Sequence, residues 1–383
     1  MAEPTLPGLE RRILNWLKPQ LKGLNEAGTE FVIGTAPGVV RPDNQDRAVS
    51  GTIRFAGRGA SIDFAALCDG MGGMVDGGRC AEVAMSAFVA SLADFSRDRP
   101  PAAALHDATS HANHRVFDEF RGRGGCTLSA IVIHEDHGFV CNVGDSRIYV
   151  LTEESGGLRQ ITRDDTVRGQ LDALGVRPVD SVPDHERLVQ FVGMGPDLQP
   201  QSARLHFGRP GRLVLLSDGA YRPALPVLDA LARNSPTPRI FADRLLRLAD
   251  WLGGRDNATV LCRDFSATRT LPGIGDSDDA LLSLWGPSKQ LDVLMPAPFF
   301  PRPEFRPLQV GEPRANVSLA RDSKGERTSR PKNKRHGRKV STSKARNPIQ
   351  VLPIKPVAQL ELGAAPESED DAGFDVPEKP KKE

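Results

Sequence analysis

The sequence predicts an α+β fold, and three observations carry the prediction. Short β-rich runs cluster between residues 29 and 265. Two alanine-rich helical stretches interrupt those runs. Strands and helices do not alternate regularly, which disfavours a doubly wound parallel sheet and favours sheets packed against helices.

Taken in order, residues 1–28 read as an N-terminal extension, with one short amphipathic helix over Leu9–Leu17 limited by Pro19. Such a helix either packs on the domain or is loosely tethered; its apolar face is short for a membrane surface. β runs follow at Phe31–Thr35 and Ala65–Cys68. Helices are expected over Gly78–Phe95 and Ala102–Phe120, where spaced apolar residues sit among alanines. Further β runs lie at Leu128–Ile133, Phe139–Val143, Arg147–Leu151, Leu188–Val192, Arg212–Ser217 and Thr259–Cys262. A second helical pair is expected at Val227–Arg233 and Arg239–Leu252. The globular region thus spans 29–266. From 267 to 383 the composition turns Pro-rich, then basic, then mixed in charge, and disorder is expected. Arg321–Asn347 carries eleven Lys/Arg against Asp322 and Glu326, a formal charge of +9 inside a chain whose total is +1.

Composition excludes several functions. Aromatic residues are 5% of the chain, too few for platforms that stack single-stranded nucleic acid. The basic tail has no aromatic interleaving, so nucleic acid is a weak expectation beside an acidic partner protein. Five cysteines, none in a CxxC pair, fit neither a disulfide framework nor a zinc ribbon. No apolar run behind basic residues opens the chain, and no window nears about 20 apolar residues. The expected compartment is the cytoplasm. His106, His111 and His114 share one helical stretch, but no carboxylate pattern accompanies them, and a solvated or partly buried helix face is expected.

Five aspartates stand beside small or flexible residues near strand ends. Asp46 closes RPDNQD, Asp69 opens DGMGG, Asp145 sits in NVGDSR, Asp218 follows LVLLS, and Asp256 opens DNAT. Any one alone reads as a turn, because Asp-Gly is a common hairpin signal. Several converging at one end of a sheet repel one another and call for a cation. Oxygen ligands without His or Cys suit magnesium or manganese.

In order and in neighbours this set resembles the protein phosphatase 2C-like family of metal-dependent Ser/Thr phosphatases. The matching pieces are RPDNQD (41–46), DGMGG (69–73), GCTLSA (125–130), NVGDSRIYVL (142–151), QITRDD (160–165), LVLLSDG (213–219) and GGRDNATVLC (253–262). The resemblance implies a four-layer α-β-β-α sandwich with antiparallel sheets, and a core site for two Mn²⁺ or Mg²⁺ ions at one end. It implies that Asp69 bridges the ions, the Gly70 carbonyl binds one, Asp218 and Asp256 complete a ligand shell, and Asp46 holds metal-bound water. Asp145 is the implied ligand of a third, weaker ion, and Arg41 of the substrate phosphate. The implied reaction is hydrolysis of phosphoserine and phosphothreonine in proteins by a metal-bridged water, opposing a bacterial Ser/Thr kinase. A variable flap is placed at about 166–188, either as a loop with a short helix or as a substrate-selecting lid.

The sequence departs from the family pattern at Gln45, Met71, Met74 and Asp165-Thr166. Met71 takes the place of a histidine proposed as the leaving-group acid in animal members, and is usual in bacterial ones. The alternative reading, a catalytically weak or inactive phosphoprotein-binding regulator whose basic tail binds an acidic partner or nucleic acid, rests on Met74 and Asp165-Thr166.

Overall fold

The computed structural model of the protein describes residues 7–18, 22–54, 61–93, 100–152, 156–176, 185–265 and 280–295. The order is α1 (Pro7–Trp16), β1 (Gly23–Glu26), β2 (Val32–Ala36), β3 (Arg47–Arg54), β4 (Ser61–Cys68), α2 (Gly77–Ala93), α3 (Pro101–Phe120), β5 (Leu128–His134), β6 (His137–Val143), β7 (Arg147–Thr152) and β8 (Leu158–Gln160). It continues with α4 (Val167–Ala173), β9 (Gln201–His206), β10 (Gly211–Leu216), α5 (Asp218–Ala224), α6 (Leu228–Arg233), α7 (Pro238–Trp251), β11 (Ala258–Phe265), β12 (Ala280–Trp285) and β13 (Gln290–Met295).

Two sheets form, with every strand pair antiparallel. One runs β1-β2-β11-β10-β7-β8 and the other β13-β12-β3-β4-β5-β6-β9. Side chains alternate across each strand, and here both faces are buried. Along β4, Ala65 and Leu67 face the other sheet while Phe64, Ala66 and Cys68 face the helices. Along β10, Leu213 and Leu215 turn inward and Val214 and Leu216 outward. Double burial explains why these runs read as continuously apolar. Helices α1, α2 and α3 cover the seven-stranded sheet, and α5, α6 and α7 cover the six-stranded one. The architecture is the expected α-β-β-α sandwich.

Local chemistry sets the helix starts. Thr237 accepts a hydrogen bond from the Ile240 amide at 3.2 Å, and Pro238 occupies the first turn of α7. Pro100 and Pro101 open α3 in the same way without a side-chain cap.

The expected boundaries need correction at both ends. Residues 1–28 are more than an extension. Leu9, Ile13 and Leu17, one stripe at four-residue spacing, are buried against α2, and Arg115 of α3 donates to Glu10 at 2.9 Å. β1 pairs with β2 along four residues. At the other end, the tail expected from 267 contains the β12–β13 hairpin, which pairs with β3 and buries Ala280, Leu282, Leu284, Val293 and Met295. Composition suggested disorder there, but a short hairpin needs no apolar richness of its own when a sheet edge supplies its partner. Leu188–Val192 is not a strand; it contributes only the bridges Thr166–Leu188 and Cys126–Val192. The expectations for the basic stretch 321–347 and for the rest of 296–383 fall outside the described residues.

The hairpin generates a stability prediction. A chain ending at residue 270 will unfold at lower temperature and denaturant concentration than one ending at 296. The buried Leu282 and Leu284 alone represent up to about 3–6 kcal/mol. Equal melting of the two truncations by circular dichroism would contradict the pairing with β3.

Candidate metal centre

The five aspartates all sit where strands end. Asp46 immediately precedes β3, Asp69 follows β4, Asp145 lies in the turn between β6 and β7, Asp218 begins α5 after β10, and Asp256 stands two residues before β11. β3, β4 and β6 belong to the seven-stranded sheet and β7, β10 and β11 to the other, so both sheets supply carboxylates. Burial is the main cause that pushes the Asp69 carboxyl well above its ordinary range, and the charges of Asp46, Asp218, Asp145 and Asp256 push it further. All four are therefore within electrostatic reach of Asp69.

Neutral groups position these acids. Asn44 donates to Thr35 Oγ1 at 2.8 Å, the Thr35 and Thr259 hydroxyls meet at 2.7 Å, and Thr259 donates to Asp46 Oδ2 at 2.6 Å. The other oxygen, Asp46 Oδ1, is buried with no hydrogen-bond partner among the described residues. Burial raises this carboxyl from 3.8 to about 6. The Asp69 amide donates to Thr127 Oγ1 at 3.0 Å, and the Thr127 amide donates back to the Asp69 carbonyl at 2.8 Å. Thr127 meets the Ser146 hydroxyl at 2.8 Å, linking the Asp69 and Asp145 loops. Two glycines are required by close approach. A Cβ on Gly70 would stand 2.3 Å from the Gly77 carbonyl oxygen, and one on Gly219 would stand 2.1 Å from that of Asn257.

Positive groups meet the cluster from its rim. Arg41, in the β2–β3 loop, donates to Asp256 Oδ2 at 2.8 Å, and both side chains remain well exposed. Arg222 of α5 reaches Asp145 Oδ2 at 2.8 Å and Asp218 Oδ2 at 3.1 Å. Burial lifts Asp145 to about 6 and raises Asp218, in each case against the pull of Arg222. Neither Thr127 and Thr259, which lie in the motifs GCTLSA and DNAT, nor Arg222 was singled out by sequence reasoning. The threonines carried a signal in those motifs; Arg222 lay four residues from Asp218 with nothing to distinguish it from a helix-surface ion pair.

The departures at 165–166 have structural work. Asp165 accepts from the Gly144 amide at 3.0 Å and from Gln201 at 2.7 Å, holding the Asp145 turn. Thr166 caps α4 through the Gly169 amide at 3.1 Å. The flap segment does contain a short helix, α4, as one of its two readings expected. The histidines behave as surface residues: His111 lies 3.8 Å from Glu10 and His106 3.8 Å from Asp107. Asp136, His137 and His206 gather separately at the β5–β6 turn, on sequence-distant residues that spacing does not connect.

In a chelated chain only Arg41 and Arg222 offset these charges, and neither reaches Asp46 or Asp69 in an ion pair among the described residues. Asp46 and Asp145 titrate near 6 when folded against 3.8 unfolded, so the folded state holds protons the unfolded state has released. Stability from them is present below about pH 4 and is lost as pH rises through about 6. In EDTA, Asp69→Asn is expected to melt at least about 2 °C above wild type at pH 7.5, with the gain shrinking toward pH 5. Added Mn²⁺ should stabilise wild type more than the variant at pH 7.5. Differential scanning fluorimetry checks both, and a Mn²⁺-insensitive wild type would contradict the cation site.

The family model for protein phosphatase 2C matches residues 43–253. The Serine/threonine protein phosphatase PstP of Mycobacterium tuberculosis is 30% identical over 264 residues, covering 64% of this chain and 48% of PstP. This chain therefore spans about half the length of that relative. Protein phosphatase PhpP of Streptococcus pneumoniae is 27% identical over 245 residues, 60% of this chain and 95% of PhpP. The crystal structure of the catalytic domain of PstP in complex with two manganese ions is 26% identical, with a TM-score of 0.51, covering 64% of this chain and all of that one. Match to the model over more than half of the sequence, on a sandwich whose strand ends carry the acidic motifs in order, makes this chain a member of the protein phosphatase 2C family.

Proposed function

We propose that this chain is a metal-dependent protein phosphatase that hydrolyses phosphoserine and phosphothreonine in proteins, opposing a Ser/Thr kinase in the cytoplasm. The observation that carries the reading is the convergence of Asp69 with Asp46, Asp145, Asp218 and Asp256 from the strand ends of both sheets, where each of the four charges pushes the Asp69 carboxyl upward. An arrangement of that kind stands ionised at neutral pH only with cations in it. The residues fit Mn²⁺ or Mg²⁺. The donors are all oxygen, and Asp46 Oδ1 is buried with no hydrogen-bond partner among the described residues. The names of relatives, a serine/threonine protein phosphatase and a protein phosphatase, support the same reading. Among the described residues no helix is long and apolar enough to cross a membrane.

Asp46, Asp69, Asp218, Asp256 and the Gly70 carbonyl are the groups that would hold two ions. When bound, such dications lower the pKa of water and neutralise charge on phosphoryl oxygens. The chain's own residues do the positioning. Thr259 fixes one Asp46 oxygen and leaves the other free to face the site. Thr127 locks the backbone of Asp69. Arg41 is the phosphate ligand: exposed and already poised on Asp256, its planar guanidinium makes paired contacts to a tetrahedral oxyanion. With Met71 after Asp69-Gly70, no imidazole follows the site's central acid, and solvent protonates the leaving alkoxide. The basic stretch Arg321–Asn347 is the proposed contact for an acidic partner.

Two measurements test this. Turnover of p-nitrophenyl phosphate and of a phosphothreonine peptide is expected with Mn²⁺ or Mg²⁺, absent in EDTA, and reduced at least about 100-fold by Asp69→Asn or Asp218→Asn. Turnover that survives EDTA or either substitution would sink the metal mechanism. Arg41→Ala should cost about 10–100-fold in kcat/KM, with Arg41→Lys restoring only part of it. Unchanged phosphopeptide kinetics in Arg41→Ala would remove Arg41 from phosphate binding.

A further inference from the structure

The Asp145 and Asp218 carboxylates face one another's space, the Oδ2 of each lying within 3.1 Å of one and the same side chain, and two acids so placed call for a positive charge. A positive charge already stands there. The Arg222 guanidinium places Nη2 2.8 Å from Asp145 Oδ2 and Nε 3.1 Å from Asp218 Oδ2, an i,i+4 pair along α5. Its remaining nitrogen, Nη1, donates to Glu186 Oε2 at 2.9 Å. Glu186 belongs to the flap, and its other oxygen lies 3.0 Å from Arg168 of α4. Asp145 is held from behind as well, its carbonyl accepting from the Tyr221 hydroxyl at 3.1 Å. Both Arg222 contacts to the cluster are made by partly buried groups, so they are weakly screened.

We propose that Arg222 is a built-in cation that takes the place of a third metal ion between Asp145 and Asp218 and ties the flap to the metal centre through Glu186. The inference rests on the two-metal reading above and corrects the assignment of Asp145 to a third, weaker ion. Asp145 is then a positioning residue: it holds Arg222 against the side of Asp218 and binds no metal itself. A guanidinium suits the position because it faces three carboxylates at once in fixed geometry, hydrogen-bonding Asp145 and Glu186 and pairing in charge with Asp218, which a lysine ammonium does less well.

Equilibrium dialysis of the full chain against Mn²⁺, with the ions counted by mass spectrometry, tests this. Two ions per wild-type chain are expected, and two per Asp145→Asn chain. Arg222→Gln should bind three, the added one more weakly, and Arg222→Lys should return the count to two. Three ions on wild type, two on folded Arg222→Gln, or loss of an ion in Asp145→Asn would each overturn the inference. Asp145→Asn keeps the test open if Arg222→Gln fails to fold. Fewer than two ions on wild type would instead overturn the two-metal reading beneath it.

Discussion

Mutual repulsion among buried carboxylates is the constraint around which this molecule is arranged. Asp69 carries the charge of four neighbours and the cost of burial together. No single loop holds such a set in place; the anchoring comes from strands. β4 and β10 deliver Asp69 and Asp218 on segments with both faces packed, so neither acid can retreat without unpacking a sheet. Packing both faces requires two sheets and two helical layers. The four-layer architecture thus follows from the need to drive acids from two directions into one space. The hydroxyls of Thr127, Thr259 and Thr35 supply hydrogen bonds without adding charge, which further acids or bases could not do.

Much of this was legible in the sequence, for reasons particular to each segment. Phe64–Cys68 and Leu213–Leu216 are apolar on every residue because both faces are covered, and runs of that kind announce themselves. Asp69 and Asp218 were legible because each directly follows such a run. β3 was not. Its sequence RAVSGTIR looks like a surface strand, yet Arg47 is buried on Glu82 at 2.8 Å, Ser50 donates to the Phe64 carbonyl, and Thr52 bonds Asp63 at 2.7 Å. Polar residues are buried there because tertiary partners satisfy them, and no local pattern records a partner. The β12–β13 hairpin was hidden for a related reason: its stability lies in the edge of β3, more than two hundred residues away in sequence.

The centre uses two kinds of positive charge, and they differ in what they allow. Arg41 pairs with Asp256 at the open rim, where both partners keep over a third of their side-chain surface. Such a pair is weak and exchanges readily for a phosphate. Arg222 sits deeper, and its contacts are graded by burial. Asp145 is nearly buried, Asp218 is about a quarter exposed, and Glu186 is about half exposed. An ion pair loses strength as water reaches it, so the order of persistence is Asp145, then Asp218, then Glu186.

That gradient puts the weakest of the three contacts on the flap side and the strongest on the acid side. Of the three contacts, the one from Arg222 to Glu186 is the one that solvent replaces at least cost. The hydrogen bond to Asp145 is the costliest to break, since breaking it would leave a nearly buried carboxylate unpaired. A covalently attached cation also stays in place at any metal concentration, so the outer half of the cluster keeps its charge balance while the ions around Asp69 come and go. Arg222 thereby separates two properties that a metal ion in the same position would couple: how the cluster is neutralised, and how the flap is held.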